Sequence, residues 1–203
     1  MENEQTTKGK IGDEIGSAGT AVKDGLVGAL KGLNEIEAEI AALVRQTVSH
    51  ALKTAGNAAN EGIVITRDVV KGAIQATEEV GSGLVLSAKS VSKGVVMGIN
   101  DVGKDTLSLV KQTVKASVQG AAEVGADMAG VARRSVEGVI EATKETGGNA
   151  EEAAKVAITG AVEAAGEIGK TAVSTVKEVL VDVVVGAKEI ISTALPKSSK
   201  DGK

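Results

Sequence analysis

Residues 115–125, KASVQGAAEVG, decide the fold, because the pattern returns every 22 residues. Residues 71–81 read KGAIQATEEVG and residues 93–103 read KGVVMGINDVG. Downstream, 137–147 read EGVIEATKETG and 159–169 read TGAVEAAGEIG. Further copies fall at 27–37, 49–59 and 181–191, with no insertion anywhere. A fixed period of this length marks a repeat architecture.

Three ladders keep the register. Lys23, Arg45, Arg67, Lys89, Lys111, Arg133, Lys155 and Lys177 stand 22 apart and form a basic ladder. Asp13, Glu35, Glu79, Asp101, Glu123, Glu145, Glu167 and Glu189 form an acidic one, with Asn57 as its gap. Gly81, Gly103, Gly125, Gly147 and Gly169 form a glycine ladder.

Inside a repeat the apolar positions step by three and four, as in Leu107, Val110, Val114, Val118, Ala121 and Val124. That is helical spacing. Each unit divides into two 11-residue halves, and 11 residues make three turns at about 3.67 per turn, so the apolar stripe runs straight along a helix. Each 22-residue unit would advance ~33 Å. A β-solenoid with 22-residue coils is opposed by the Ala, Glu and Lys content and by the three–four spacing. The sequence therefore predicts an all-α protein of long amphipathic helices with 22-residue (2 × 11) repeats. These form three helices in an extended antiparallel bundle, or one nearly continuous helix.

A single glycine costs a helix ~1 kcal/mol relative to Ala and can be carried. Breaks are expected only where signals cluster, near residues 56–62 and at 147–149. In the second, Asn149 can cap a new helix with Glu152 at the capping-box position. Pro196 ends the last helix. The expected helices are 12–55, 63–146 and 150–194, within a repeat region 11–195 flanked by solvated tails at 1–10 and 196–203.

Composition narrows the function. The chain has 203 residues with no Phe, Tyr, Trp or Cys, and one His and one Pro. Its burial rests on Val, Ala, Ile and Leu, together with 26 Gly. A thiolate metal site and a cysteine nucleophile are excluded, and one His gives little material for a catalytic triad. No catalytic, cofactor-binding or metal-ligating residue is expected, and an enzyme is not. No aromatic ring is present on which nucleic-acid bases could stack, and a formal net charge of −4 leaves no basic footprint. The longest uncharged run, residues 80–88, is half of what a membrane span requires. The start, MENE, lacks the features of a signal peptide. The expected location is cytoplasmic, free or peripheral on a membrane or granule.

On an 11/3 helix the basic ladder sits just beyond one edge of a wide apolar sector, and the acidic ladder lies deeper in the polar face. Such a helix can lie in a lipid interface with its Lys and Arg stems along the apolar boundary. The two charge ladders alternate by 12 and 10 residues, so they are not same-helix pairs. Between neighbouring helices shifted by about half a repeat, Lys would face Glu and set register. The glycine ladder falls in the apolar sector and is expected to mark helix contacts. Small-xxx-small pairs point the same way: Gly72/Ala76, Gly94/Gly98, Ala116/Gly120, Gly138/Ala142 and Gly160/Ala164. His50 reads as an exposed polar residue, and Met97 and Met128 as repeat variation.

Eleven-residue amphipathic repeats grouped in 22s resemble those of the exchangeable apolipoproteins, synucleins, perilipins and group 3 late-embryogenesis-abundant proteins. The synuclein-like flavour lies in segments such as 113–118, TVKASV, and 135–139, SVEGV. The resemblance implies a helix formed on lipid or another apolar surface, without catalysis. Two departures stand out: Pro196 lies outside the repeats, and the mean hydropathy of +0.10 exceeds that of the strongly hydrophilic late-embryogenesis proteins.

The leading expectation is reversible coating of a lipid membrane or other hydrophobic surface. The alternative is self-association into a structural helical bundle or right-handed coiled-coil filament, and a second alternative is a stress or desiccation protectant.

Overall fold

A computed structural model describes residues 19–23, 25, 36–55, 59–80, 83–103 and 106–183. Residues 19–23 are helical, and seven further helices follow: α1 (Ile36–Ala55), α2 (Ala59–Val80), α3 (Leu84–Asn100), α4 (Thr106–Glu123), α5 (Met128–Glu145), α6 (Ala150–Ile168) and α7 (Lys170–Leu180). The described residues are all-helical apart from turns, with no strand.

The expected 63–146 helix is therefore four helices, α2 to α5. Its breaks fall at glycines that are turn residues: Gly83, just before α3, has a φ of 92°, and the ladder glycines Gly103 and Gly125 have φ of 64° and 69°; beyond it Gly147 and Gly169, at 74° and 147°, end α5 and α6 in the same way. Only glycine enters this region without a steric penalty. At Gly125 the local bonds complete a helix stop. The Ala126 N–H donates to the Ala121 carbonyl at 2.8 Å, and the Gly125 N–H to Ala122 at 3.2 Å. Gly147 repeats this, with Gly148 donating to Thr143 at 2.9 Å and Gly147 to Lys144 at 3.3 Å. Both are Schellman motifs, which satisfy carbonyls a helix end would otherwise orphan. Restart signals follow two residues later. Asp127 caps α5 by accepting from the Gly130 N–H at 3.0 Å, and Asn149 caps α6 by accepting from the Glu152 N–H at 3.1 Å. A helix of 18 residues, such as α4 or α5, spans ~27 Å. Between Gly103 and Gly169 each helix of 18 or 19 residues thus ends in a glycine turn, where the sequence reading expects ~33 Å of unbroken advance.

Among α1 to α6 the most extensive contacts join helices two apart: α1 with α3, α3 with α5, α2 with α4, and α4 with α6. Contacts between sequence neighbours are smaller. The helices thus lie in two rows, an odd row (α1, α3, α5, α7) and an even row in which α2, α4 and α6 follow residues 19–23. Helices two apart run parallel and sequence neighbours run antiparallel. Ala88 near the start of α3, Ala121 near the end of α4 and Val131 near the start of α5 accordingly share one apolar cluster.

The apolar stripes meet between and along the rows. One cluster joins Val22, Ile40, Val44, Val48 and Leu52 to Val69, Val70, Val91, Val95 and Ile99. A second joins Val110, Val114 and Val118 to Val136, Val139, Ile158, Val162, Val176 and Leu180. Alanine fills much of the remainder, and such small side chains let the helices approach closely. Several buried hydroxyls are absorbed by their own helices, while those of Thr66, Ser92 and Ser135 have no partner among the described residues. Thr113 donates to the Leu109 carbonyl and Thr143 to the Val139 carbonyl, each at 2.8 Å. Thus Ser and Thr enter the core without needing a partner across it.

Candidate functional site: charge pairs and glycine contacts along the rows

The ladder residues meet along the rows. Lys23 pairs with Glu79 at 2.5 Å, and Arg45 grips Asp101 with two hydrogen bonds of 2.7 Å. Both join a basic to an acidic ladder position 56 residues on. Farther along, the partner changes. Lys89 pairs with Glu141 and Lys111 with Glu163, each at 2.7 Å and 52 residues on. The ladder acids Glu145 and Glu167 instead take Lys93 at 2.7 Å and Lys115 at 2.5 Å. Lys93 also reaches Glu141 at 2.7 Å.

The sequence reading misses Lys93, Lys115, Glu141 and Glu163. A signal for them exists: Lys71, Lys93 and Lys115 are themselves 22 apart, as are Glu141 and Glu163. Two basic ladder residues pair within their own helix, Arg133 with Glu137 at 3.0 Å and Lys155 with Glu151 at 2.6 Å. Arg67 and Glu123 line one groove but form no ion pair with each other among the described residues. Lys177 is half-buried in the last turn of α7. Asp13, Glu35, Glu189 and Gly81 lie outside the described residues, as do both expected tails.

These contacts hold the groups charged. The Arg45 guanidinium keeps the Asp101 carboxyl below its ordinary value, and its own pKa is raised in return. Hydrogen bonds from Lys89 and then Lys93 lower Glu141, and Lys115 does the same for Glu167. At Lys93 desolvation is the largest influence and opposes the charge, but Glu141 and Glu145 together leave its pKa raised.

The ladder glycines among the described residues do not make the expected helix contacts. A Cβ placed on Gly103, Gly125, Gly147 or Gly169 would meet nothing within 4 Å. These residues serve the turns, whose backbone requires glycine. The contact glycines are those of the small-xxx-small pairs. A Cβ on Gly94 would lie 2.5 Å from the Ala41 carbonyl oxygen, and one on Gly98 2.7 Å from that of Arg45. One on Gly160 would lie 2.6 Å from the Lys111 oxygen. Gly72 and Gly138 lie tighter still against the carbonyls of Gly19 and Lys89. Each contact joins helices two apart, so a bare Cα lets one backbone rest on the other.

Open grooves run along the rows. One of about 650 Å³ is lined by α1, α3 and α5 residues including Ala42, Arg45, Met97 and Glu145. Another of about 810 Å³ follows α4, with Arg67, Lys115, Gln119 and Glu167 on its walls. His50 is exposed on α1. Among the described residues no group of three or more His, Asp or Glu is placed to hold a metal ion. No helix among them is long and apolar enough to cross a membrane. Compared with known proteins, the chain matches no family model and no curated protein.

Proposed function

We propose that this chain is a non-enzymatic structural protein, a stack of 22-residue helical repeats whose amphipathic faces serve its own packing. The observation that carries this reading is the set of glycines Gly72, Gly94, Gly98, Gly138 and Gly160 resting on the backbone two helices back. Each costs its helix ~1 kcal/mol in propensity. On a lipid surface that cost has no return, whereas in a stack it permits close approach. The burial pattern supports the same reading, since Val64, Leu86 and Ile168 are the large apolar side chains left exposed among those described.

Circular dichroism in dilute buffer, with and without anionic vesicles, tests it. Strong helix in buffer, indifferent to vesicles, is expected. Weak helix that rises sharply with vesicles would overturn it in favour of a second reading, reversible coating of a lipid surface. What favours that second reading is the turns. A glycine hinge at nearly every reversal, and a core without aromatic rings, would let the helices unfold onto an interface without breaking. Vesicle flotation would then recover the protein with the lipid.

A further inference from the structure

Along each row the packing register takes two values, one helical turn apart. Gly72 rests on the carbonyl of Gly19, Gly94 on Ala41 and Gly98 on Arg45, each an offset of 53 residues. Gly138 rests on Lys89 and Gly160 on Lys111, an offset of 49. The ion pairs shift in step. They join residues 56 apart in the first group, Lys23–Glu79 and Arg45–Asp101. In the second group four pairs join residues 52 apart, Lys89–Glu141, Lys93–Glu145, Lys111–Glu163 and Lys115–Glu167, and Lys93 also reaches across to Glu141, 48 residues on.

The sequence has no insertion between these regions, so the shift has a local cause. At the long offset the basic residue is single, with Val27 and Ser49 standing four residues after Lys23 and Arg45. The acid is single too, because Gln75 and Met97 stand four residues before Glu79 and Asp101. At the short offset both are doublets: Lys89 and Lys93 face Glu141 and Glu145, and Lys111 and Lys115 face Glu163 and Glu167. A doublet satisfies two pairs at the short offset and one at the long. Glycine placement alone does not sort the cases, because Gly72/Ala76 takes the long offset and Gly138/Ala142 the short one.

We propose that the contact between helices two apart is a ratchet with two seats one turn apart, and that the charge doublet selects the seat. One-turn steps of an element along its neighbour are an established type of conformational switch. Here the α3–α5 and α4–α6 contacts hold both seats within their sequence, while α1–α3 offers its single pair one seat only.

The test uses the full chain with spin labels at the exposed positions Asn100 and Lys144, introduced as the protein's only cysteines. The double substitution Lys93→Ser with Glu141→Met gives the α3–α5 contact the singlet pattern of α1–α3. The label distance should change by up to ~6 Å, four residues of helical rise. An unchanged distance with helicity retained would overturn the proposal. Should the double variant lose its helix, Glu141→Gln decides. It leaves one pair at either seat, so two distance populations are expected, and one population at the parent distance would contradict the ratchet. Glu151→Gln removes only a pair within α6 and should leave the distance unchanged. A similar change there would also overturn the assignment to charges between the helices.

Discussion

The α1–α3 and α2–α4 contacts occupy equivalent places in the two rows, yet they differ in tightness. In the first, Gly94 and Gly98 rest on the carbonyls of Ala41 and Arg45, and Arg45 grips Asp101. In the second, Ala116 stands at the position of Gly94, and the space at Gly120 is occupied by the Ile74 Cδ1 methyl. Arg67 and Glu123, the counterparts of Arg45 and Asp101, form no ion pair among the described residues, and the contact is less extensive. Both helix pairs carry full apolar stripes. What separates them is the Ala116 methyl group and the Ile74 side chain at the points where two backbones would touch, so close approach, more than hydrophobicity, decides how tightly the rows pack.

The comparison breaks most visibly by making the tight contact bulky. Gly94→Val should lower stability by about 3 kcal/mol, the upper end of overpacking costs. In a chain of this size that is a fall in Tm of roughly 6–12 °C, read by thermal circular dichroism. A loss below about 1 kcal/mol would mean the contact yields. Turn glycines fail for a different reason. Gly125→Ala adds no clash, but forces Ala to a positive φ, at a cost of about 1–2 kcal/mol in denaturant unfolding.

Gly166 is the counter-example, since it lies inside α6 with open space around it. Gly166→Ala should raise stability by up to about 1 kcal/mol, and a loss would show a contact that the packing does not contain. Ala116→Gly sharpens the comparison from the loose side. Its propensity cost of ~1 kcal/mol should be largely offset by closer packing of α4 on α2, so that Tm changes little while labels on the two helices draw together.

The charge pairs are the smallest effect. They are partly exposed, so Asp101→Asn should cost under about 1 kcal/mol. Acid gives the sign. Asp101, Glu141 and Glu167 have pKa values lowered in the fold. Their stabilisation is therefore full above the ordinary carboxylate values of 3.8 and 4.5, and is lost as pH falls through the lower folded values. Melting should be steady from pH 7 to about 5 and decline below about 4. A decline beginning near pH 6 would point to another group.

Helicity and the repeat-long spacing of the small and charged residues were legible in the sequence, because three–four spacing and ladders are periodic signals. Most of the turns were not. A lone glycine costs a helix little, so only the clusters at 56–62 and 147–149 read as stops. The missed cue was the pairing of glycine with a cap two residues on, since Asp127 follows Gly125 as Asn149 follows Gly147. The role of the glycines was legible only as a class. Nothing in the one-dimensional pattern separates Gly103, a turn, from Gly98, a backbone contact, until the chain reverses. The shift from Glu145 to Glu141 as the partner of Lys89 depends on register between helices, which a single helical wheel does not contain.

The reversal of the chain at the ladder glycines Gly103 and Gly125 is the central claim, and one distance tests it most directly. Spin labels at Asn100 and Lys144 report on the ends of α3 and α5. Helices stacked in one row place them within roughly 25 Å, given axes 8–10 Å apart. An unbroken helix over the same residues would hold them ~66 Å apart, and that distance would contradict the stack.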